Sequence, residues 1–209
     1  MHRKPYCTDL TDGQWRVLQR VIPEQPKRRG RRRKYPLREL VNALAYLVRT
    51  GCAWRMLPHD LPPWWNVYYL FRQWRDTNWW LLIHKTLREL VRQARGRNRE
   101  PSAAIIDSQS VKTAQGGVRG YDAGKKVTGR KRHILVDTEG FLLTVVVHSA
   151  DIQDRDGGKQ LLRKARGTLP RLQRIWADAG YAGKLVEWTN RRCGWVLTIV
   201  RRTGKGFQV

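Results

Sequence analysis

Apolar residues recur at helical spacing through the first part of the chain and predict four amphipathic helices, at positions 10–23, 36–50, 64–76 and 78–95. The first begins on a capping-box pattern, in which Thr11 precedes Gln14 by three residues. The second has Pro36 at its start and Gly51 just past its end, the usual asymmetry of helix termini. Short helices joined by tight turns are typical of a helix-turn-helix-like module, but equally of a plain helical bundle.

Beyond residue 100 the pattern changes to short apolar runs between turn residues, which predicts strands mixed with helices. We expect one strand to end on Asp107, and a hairpin whose turn contains Gly140 with a positive φ. Its second strand is nearly all apolar, so we expect it to be covered on both faces. The remaining predicted elements are strands at 132–137, 141–148, 171–177 and 195–200, a flexible cationic loop at 114–130, and helices at 156–166 and 184–192.

A polar run from Gly96 to Pro101 is the clearest linker. It predicts a helical DNA-binding domain at residues 1–96 and a second domain at residues 97–209. The expected fold class is α+β or α/β, in which the amino-terminal helices precede a mixed sheet with helices.

The net charge of the 209-residue chain is +25. Such an excess of cations favours a polyanionic partner, most commonly nucleic acid. No apolar run approaches the roughly 20 residues of a membrane-spanning helix, and no secretory signal precedes the first helix. The three cysteines are scattered, so we expect no disulfide framework and a cytoplasmic location.

Basic residues are concentrated at two places. Positions 27–34 hold seven cations in eight residues, which we interpret as a phosphate-contacting arm, although a solvated linker has the same composition. The others lie on the third predicted helix and around the cationic loop. The candidate DNA-binding residues are Lys27, Arg28, Arg29, Arg31, Arg32, Arg33, Lys34, Arg72, Arg75, Lys112, Lys125, Lys126, Arg130, Lys131 and Arg132.

Two aspartates, Asp107 and Asp178, each close a short apolar run. Neighbouring strands would bring both carboxylates to one end of the sheet, where open α/β sheets place their sites. Two carboxylates suit Mg²⁺ or Mn²⁺, and two such ions can support phosphodiester chemistry. Each aspartate could instead simply begin a turn. The acids Asp151, Asp154 and Asp156 favour helix capping over a calcium loop.

Several motifs together resemble bacterial insertion-sequence transposases of the insertion-sequence-five group. They are the segments 12–15, 51–58, 105–113, 124–133 and 177–183. The resemblance implies a ribonuclease-H-like catalytic domain with a DDE triad that binds two Mg²⁺ or Mn²⁺ ions, with Asp107 as the first acid and Asp178 as the second. It also implies cleavage and strand transfer at terminal inverted repeats, target DNA as a partner, a homo-oligomer on DNA, and association with the bacterial nucleoid.

In that family the third acid, a glutamate, lies in a carboxy-terminal helix well past the second aspartate. Glu187 is the only acid after Asp178 in this sequence, and it falls too early. We therefore expect a carboxy-terminally truncated transposase with an incomplete catalytic domain and little or no activity. A DNA-binding regulator of transposition and a ribonuclease-H-like nuclease remain open alternatives.

Overall fold

The computed structural model describes residues 3–23, 33–113 and 116–200. The chain divides into two compact units, Met1–Val91 and Arg92–Val209. This division falls inside a helix, shortly before the polar run at which the sequence predicts a domain boundary. Within the described part of the chain, no helix is long and apolar enough to cross a membrane.

The first unit is helical, as predicted. Thr11 and Gln14 form the expected capping box, with the Thr11 side chain accepting from the Gln14 amide and the Gln14 side chain accepting from the Thr11 amide. Gly51 ends the second helix in the left-handed region at φ 68°, where a residue with a Cβ would be strained. The helices are α1 (Asp12–Val21), α2 (Leu37–Thr50), α3 (Trp64–Asp76) and α4 (Trp79–Ala94), with a 3-10 turn at Trp54–Met56.

The apolar stripes of these helices meet in one core. Its most buried side chains include Leu44, Val67, Leu70 and Trp74. The predicted arm lies almost wholly outside the described residues, which include only Arg33 and Lys34 of it, both exposed.

In its described residues, the second unit is a six-stranded mixed sheet with two helices. The elements are β1 (Ala103–Lys112), β2 (Gly120–Asp122), β3 (Val127–Asp137), β4 (Leu142–Ser149), α5 (Asp154–Ala165), β5 (Arg174–Ala177), α6 (Lys184–Cys193) and β6 (Val196–Ile199). The strand order is β2-β3-β1-β5-β6, and β4 also pairs with β3. β3 runs antiparallel to β1, β2 and β4, whereas β5 runs parallel to β1 and β6 runs parallel to β5. This is the ribonuclease-H-like arrangement, so the predicted fold class is confirmed.

Three sequence-based expectations about these strands are wrong. β1 does not end on Asp107 but continues to Lys112, because β3 pairs with it over its whole length. Part of the expected flexible loop is instead β2 and the start of β3. β4 is not covered on both faces, since none of its residues is fully buried and Val147 is 58% exposed.

The core of this unit lies between α5, α6 and one face of the sheet. Even-numbered residues of β1 and odd-numbered residues of β3 point to this face, since side chains alternate along a strand. Ala104 and Leu135 are fully buried there, against Leu161, Leu162 and Leu185 of the helices. The opposite face of β1 carries Asp107.

Candidate functional site

Asp107 lies within β1, just beyond the point where its parallel neighbour β5 ends. The ladder pairs Ala103 with Arg174 and Ile105 with Trp176. Asp178 directly follows the last residue of β5. The two predicted site residues therefore both lie just beyond the paired segment of two neighbouring parallel strands, which are typically about 4.8 Å apart.

Both carboxylates are exposed, and each is oriented by one backbone amide. Asp107 Oδ1 accepts a hydrogen bond from the Ser108 amide at 2.7 Å. Asp178 caps the 3-10 helix Ala179–Tyr181, and its Oδ1 accepts from the Gly180 amide at 2.9 Å. The second oxygen of each carboxylate accepts no hydrogen bond from the residues that the structure describes, and is therefore available to a ligand.

This donor set fits a hard divalent cation. Mg²⁺ and Mn²⁺ prefer carboxylate oxygens, and Mg²⁺ keeps several waters while binding through one or two carboxylates and substrate phosphates. In the described ranges, no three acidic, histidine or cysteine side chains are grouped closely enough to hold an ion by themselves. Glu187 is exposed on α6, where it bonds to Arg191 at 2.5 Å.

A buried polar network lies on the other face of β1, beneath Asp107. The ammonium of Lys131 bonds to Asp154 and to Asp122, each at 3.1 Å, and to the Ile152 carbonyl at 3.0 Å. Asp154 also accepts from the Ser108 hydroxyl at 3.1 Å. Burial lowers the pKa of Lys131, but the bonds to the two aspartates outweigh it and raise the pKa.

The prediction that Lys131 contacts DNA is therefore wrong. The sequence placed it among the DNA contacts, but its side chain is buried and its ammonium is bound by two carboxylates. The reason is the alternation of β3, in which Arg130 and Arg132 face the side of Asp107 and Lys131 faces the core. Asp154 likewise does not serve as the expected helix cap, since Gln153 occupies the cap position of α5.

Asp122 connects this network to the cationic segment before β3. Burial raises its pKa, but hydrogen bonds from Ser110, the Lys125 amide and Lys131 outweigh it and hold the pKa at about 2. The carboxylate therefore stays charged. Lys125, positioned in this way, donates from Nζ to the Ser108 carbonyl at 2.9 Å, next in sequence to Asp107.

A second buried contact joins the sheet to the Asp178 loop. His133 Nδ1 and the Tyr181 hydroxyl are 2.7 Å apart, and both side chains are fully buried. Burial, followed by repulsion from His148, lowers the pKa of His133 to about 4. Burial raises the pKa of Tyr181, and the charges of Asp154, Asp178 and Asp107 raise it further. The loop that carries the second acid is thus attached to the strand beside the first.

The other predicted DNA-binding residues of the second unit are partly or fully exposed. Arg130 donates to the Gly116 carbonyl at 2.6 Å, and Arg132 bonds to the Gln109 side chain. These two share the face of Asp107, while Lys112, Lys125 and Lys126 lie along the ends of the neighbouring strands. In the first unit, Arg72 and Arg75 are exposed on α3, and Arg75 bonds to Asp76 at 2.8 Å.

Sequence reasoning missed the supporting roles of Asp122, Asp154, His133 and Tyr181. One signal for them was available. The series Arg-Lys-Arg-His at 130–133, once assigned to a strand, must send Lys131 and His133 to one face. A buried lysine then requires carboxylate partners, which the nearby aspartates supply.

Comparison with solved structures gives a weak likeness to a piggyBac transposase in its synaptic complex with hairpin DNA. The identity is 18% and the TM-score 0.35, over 51% of this chain and 24% of that one. The chain thus spans about a quarter of that protein, and we base no argument on the likeness. No curated protein matches.

Two family models match the sequence. One, described as a transposase of the IS4/5 family, matches residues 10–84. The other, the transposase DDE domain, matches residues 98–206, which is more than half of the chain and includes both Asp107 and Asp178. The chain therefore belongs to the DDE-domain transposases of the IS4/5 type.

Proposed function

We propose that this chain supplies two metal-binding acids and a DNA-binding unit for metal-dependent DNA strand cleavage and strand transfer at the ends of an insertion sequence. The observation that supports the proposal is that Asp107 lies on β1 and Asp178 directly follows β5, the parallel neighbour of β1, with both residues exposed. Each carboxylate has one oxygen held by a backbone amide and one available. Membership of the DDE family supports the same chemistry.

In this proposal Asp107 and Asp178 hold divalent cations, Mg²⁺ or Mn²⁺, with two ions in the complete site. Metal ions there would activate the attacking oxygen and stabilise the leaving oxygen of the phosphodiester. The chain's own residues fix the position of both acids, since β1 is paired along its length and the Asp178 loop is held through Tyr181 and His133.

Cations on the same face would hold the DNA backbone beside the acids. Arg130 and Arg132 lie on the face of Asp107, and Lys125 is fixed next to Ser108. We propose that the amino-terminal helices act as a helix-turn-helix-like module on the terminal inverted repeats, with Arg72, Arg75 and the arm at 27–34 on phosphates. The protein would act as a homo-oligomer on DNA, associated with the bacterial nucleoid, and would join these ends to target DNA.

The test uses the whole chain, Mg²⁺ or Mn²⁺, and a duplex that carries the sequences flanking the coding region. We expect Asp107→Asn and Asp178→Asn each to lower cutting and joining by roughly a hundredfold or more while DNA binding persists, since each removes a ligand of the reacting metal. Asp156→Asn is the matched control, because Asp156 is an exposed aspartate paired only with Lys159 at the start of α5.

Normal cutting and joining by Asp107→Asn would refute the proposal. If the wild-type chain prefers the flanking sequences but never cuts them, the result favours a DNA-binding regulator. Cutting without joining favours a nuclease of the ribonuclease-H-like class.

A further inference from the structure

A second cationic site lies at the carboxy-terminal ends of α5 and α6, which pack against each other. It is a cavity of about 430 Å³. Arg163 belongs to the last turn of α5, Arg166 is the C-cap residue of that helix, and Arg192 belongs to the last turn of α6. The cavity is lined by Arg163, Arg166, Trp188, Arg192 and Cys193.

The arginines of this cavity lack acidic partners. Within the described residues, neither Arg166 nor Arg192 forms an ion pair, and Arg163 lies over the ring of Trp188 at 5.4 Å. The adjacent Arg191, in contrast, bonds to Glu187 at 2.5 Å. Three like charges around one cavity repel each other unless an anion lies between them.

The helix dipole alone does not explain this cluster. A cation in the last turn of a helix is stabilising by about 0.3–1 kcal/mol, which accounts for one arginine at each helix end. The dipole does not explain why three arginines line one cavity, or why Arg163 lies over the ring of Trp188. Guanidinium groups match phosphate oxygens in pairs, so phosphate is the anion that this cluster suits best.

We infer that this cavity binds backbone phosphates of DNA, at a site separate from the paired aspartates. The inference rests on the proposed function, in that DNA is the polyanion. Arg163 lies nine residues after Asp154 on α5, about 14 Å further along the helix at 1.5 Å per residue. The cavity is therefore a binding site distinct from the one proposed beside Asp107.

The first test compares neighbouring residues with equal changes of charge. The binding of a mixed-sequence duplex is measured over a series of salt concentrations for Arg192→Gln and Arg191→Gln. A phosphate contact contributes about 0.9 to the slope of log affinity against log salt. We expect Arg192→Gln to reduce the slope by about that amount, the triple variant at 163, 166 and 192 to reduce it by about 2 to 3, and Arg191→Gln to leave it unchanged.

The second test uses the thiol in the cavity as a reporter of occupancy. Cys193 lines the cavity and is partly accessible, whereas Cys7 is exposed in the other unit. Alkylation of each cysteine by a maleimide is followed by mass spectrometry with and without the duplex. We expect DNA to slow modification of Cys193 severalfold in the wild type but not in the triple variant. The Cys7 rate of each variant serves as the internal reference for reagent reactivity.

Thermal melting confirms that each variant is folded, as expected for exposed arginines. Equal salt slopes for Arg192→Gln and Arg191→Gln, with Cys193 alkylated equally fast in the presence of DNA, would overturn the inference. If the wild-type chain binds no DNA at all, the proposed function fails first. If it binds DNA and Asp107→Asn abolishes cutting, while the triple variant binds like the wild type, only this second site is lost.

Discussion

The ammonium of Lys131 stabilises two parts of the structure at once. One of its carboxylate partners, Asp154, belongs to α5 and holds the Ser108 hydroxyl; the other, Asp122, belongs to β2 and holds the Lys125 amide. The strand of the first acid and the cationic segment beside it therefore depend on one buried charge.

Replacing Lys131 with methionine should be strongly destabilising. Asp122, which is buried, and Asp154, which is partly buried, would lose their shared counter-charge. Losing one partner of a buried ion pair typically costs about 3–5 kcal/mol. Chemical denaturation of Lys131→Met measures this loss. Arg132→Gln, at the next position but exposed on the other face, should change the free energy of unfolding by less than about 0.5 kcal/mol. Equal effects of the two substitutions would contradict the assignment.

His133 should make stability depend on pH between about 6.5 and 4. The folded protein keeps this buried imidazole neutral down to a pKa of about 4, whereas the unfolded chain takes up a proton near pH 6.5. The unfolded state binds more protons in this window. The free energy of unfolding therefore decreases by on the order of 3 kcal/mol as the pH falls from 6.5 to 4.

Denaturation of wild type and His133→Gln across this range isolates the contribution of His133. The wild type should be the more stable at pH 7, and the difference in unfolding free energy should shrink towards pH 4. A difference that stays constant with pH would show that His133 does not titrate as inferred.

The residue scale is also where the sequence was least informative. Asp107 and Asp178 could be selected because each follows an apolar run in a motif shared with a known family. Lys131 was not separated from Arg130 and Arg132, because the strand was predicted to begin only at residue 132. Once β3 is known to begin at Val127, alternation along the strand places Lys131 on the core face.

At the scale of elements, α5 lies unusually close to the sheet. A Cβ on Gly157 would fall inside the contact distance of both His133 and His148, so only glycine permits this approach. We expect Gly157→Ala to destabilise the second unit by about 1–3 kcal/mol through overpacking. A Cβ on Gly13 in α1 would lie 3.9 Å from the Thr11 hydroxyl oxygen, which is ordinary contact distance. Gly13→Ala should therefore be neutral or stabilise the protein by up to about 1 kcal/mol.

Thermal melting and hydrogen exchange of the α5 amides distinguish these two outcomes. A Gly157→Ala protein with unchanged protection in α5 would contradict the close packing. The comparison with Gly13→Ala removes the intrinsic preference of alanine for helices, since both positions are helical.

The four amino-terminal helices could be predicted from sequence because their periodicity and end residues agree. Thr11, Pro36 and Gly51 each mark a boundary by local chemistry. The ends of β1 and β3 could not be predicted, because polar residues continue both strands. Pairing between the two strands fixes their length, and pairing is a property of distant parts of the chain rather than of local sequence.

At the scale of the whole molecule, the charge of +25 should govern affinity for DNA. Replacing the seven cations of the arm at 27–34 with glutamine should reduce the salt slope by up to about 6 if every one contacts a phosphate. Filter binding or fluorescence anisotropy at several salt concentrations measures the slope. A variant with Lys85 and Arg97 changed to glutamine removes two charges outside the arm, so the two variants are compared by the change in slope per charge removed. An unchanged slope for the arm variant would mean that the arm is a solvated linker.

The pairing of β1 with β5 also sets an order of events in time. The helical unit and the hairpin of β3 and β4 are built from residues near one another in the chain, and such local contacts form early. Asp107 and Asp178 become neighbours only when β5 joins β1 from a distant part of the sequence. During synthesis, the proposed DNA-binding surfaces therefore form before the two proposed site acids are brought together. Under the proposed function, a nascent chain would bind DNA before it could cut it.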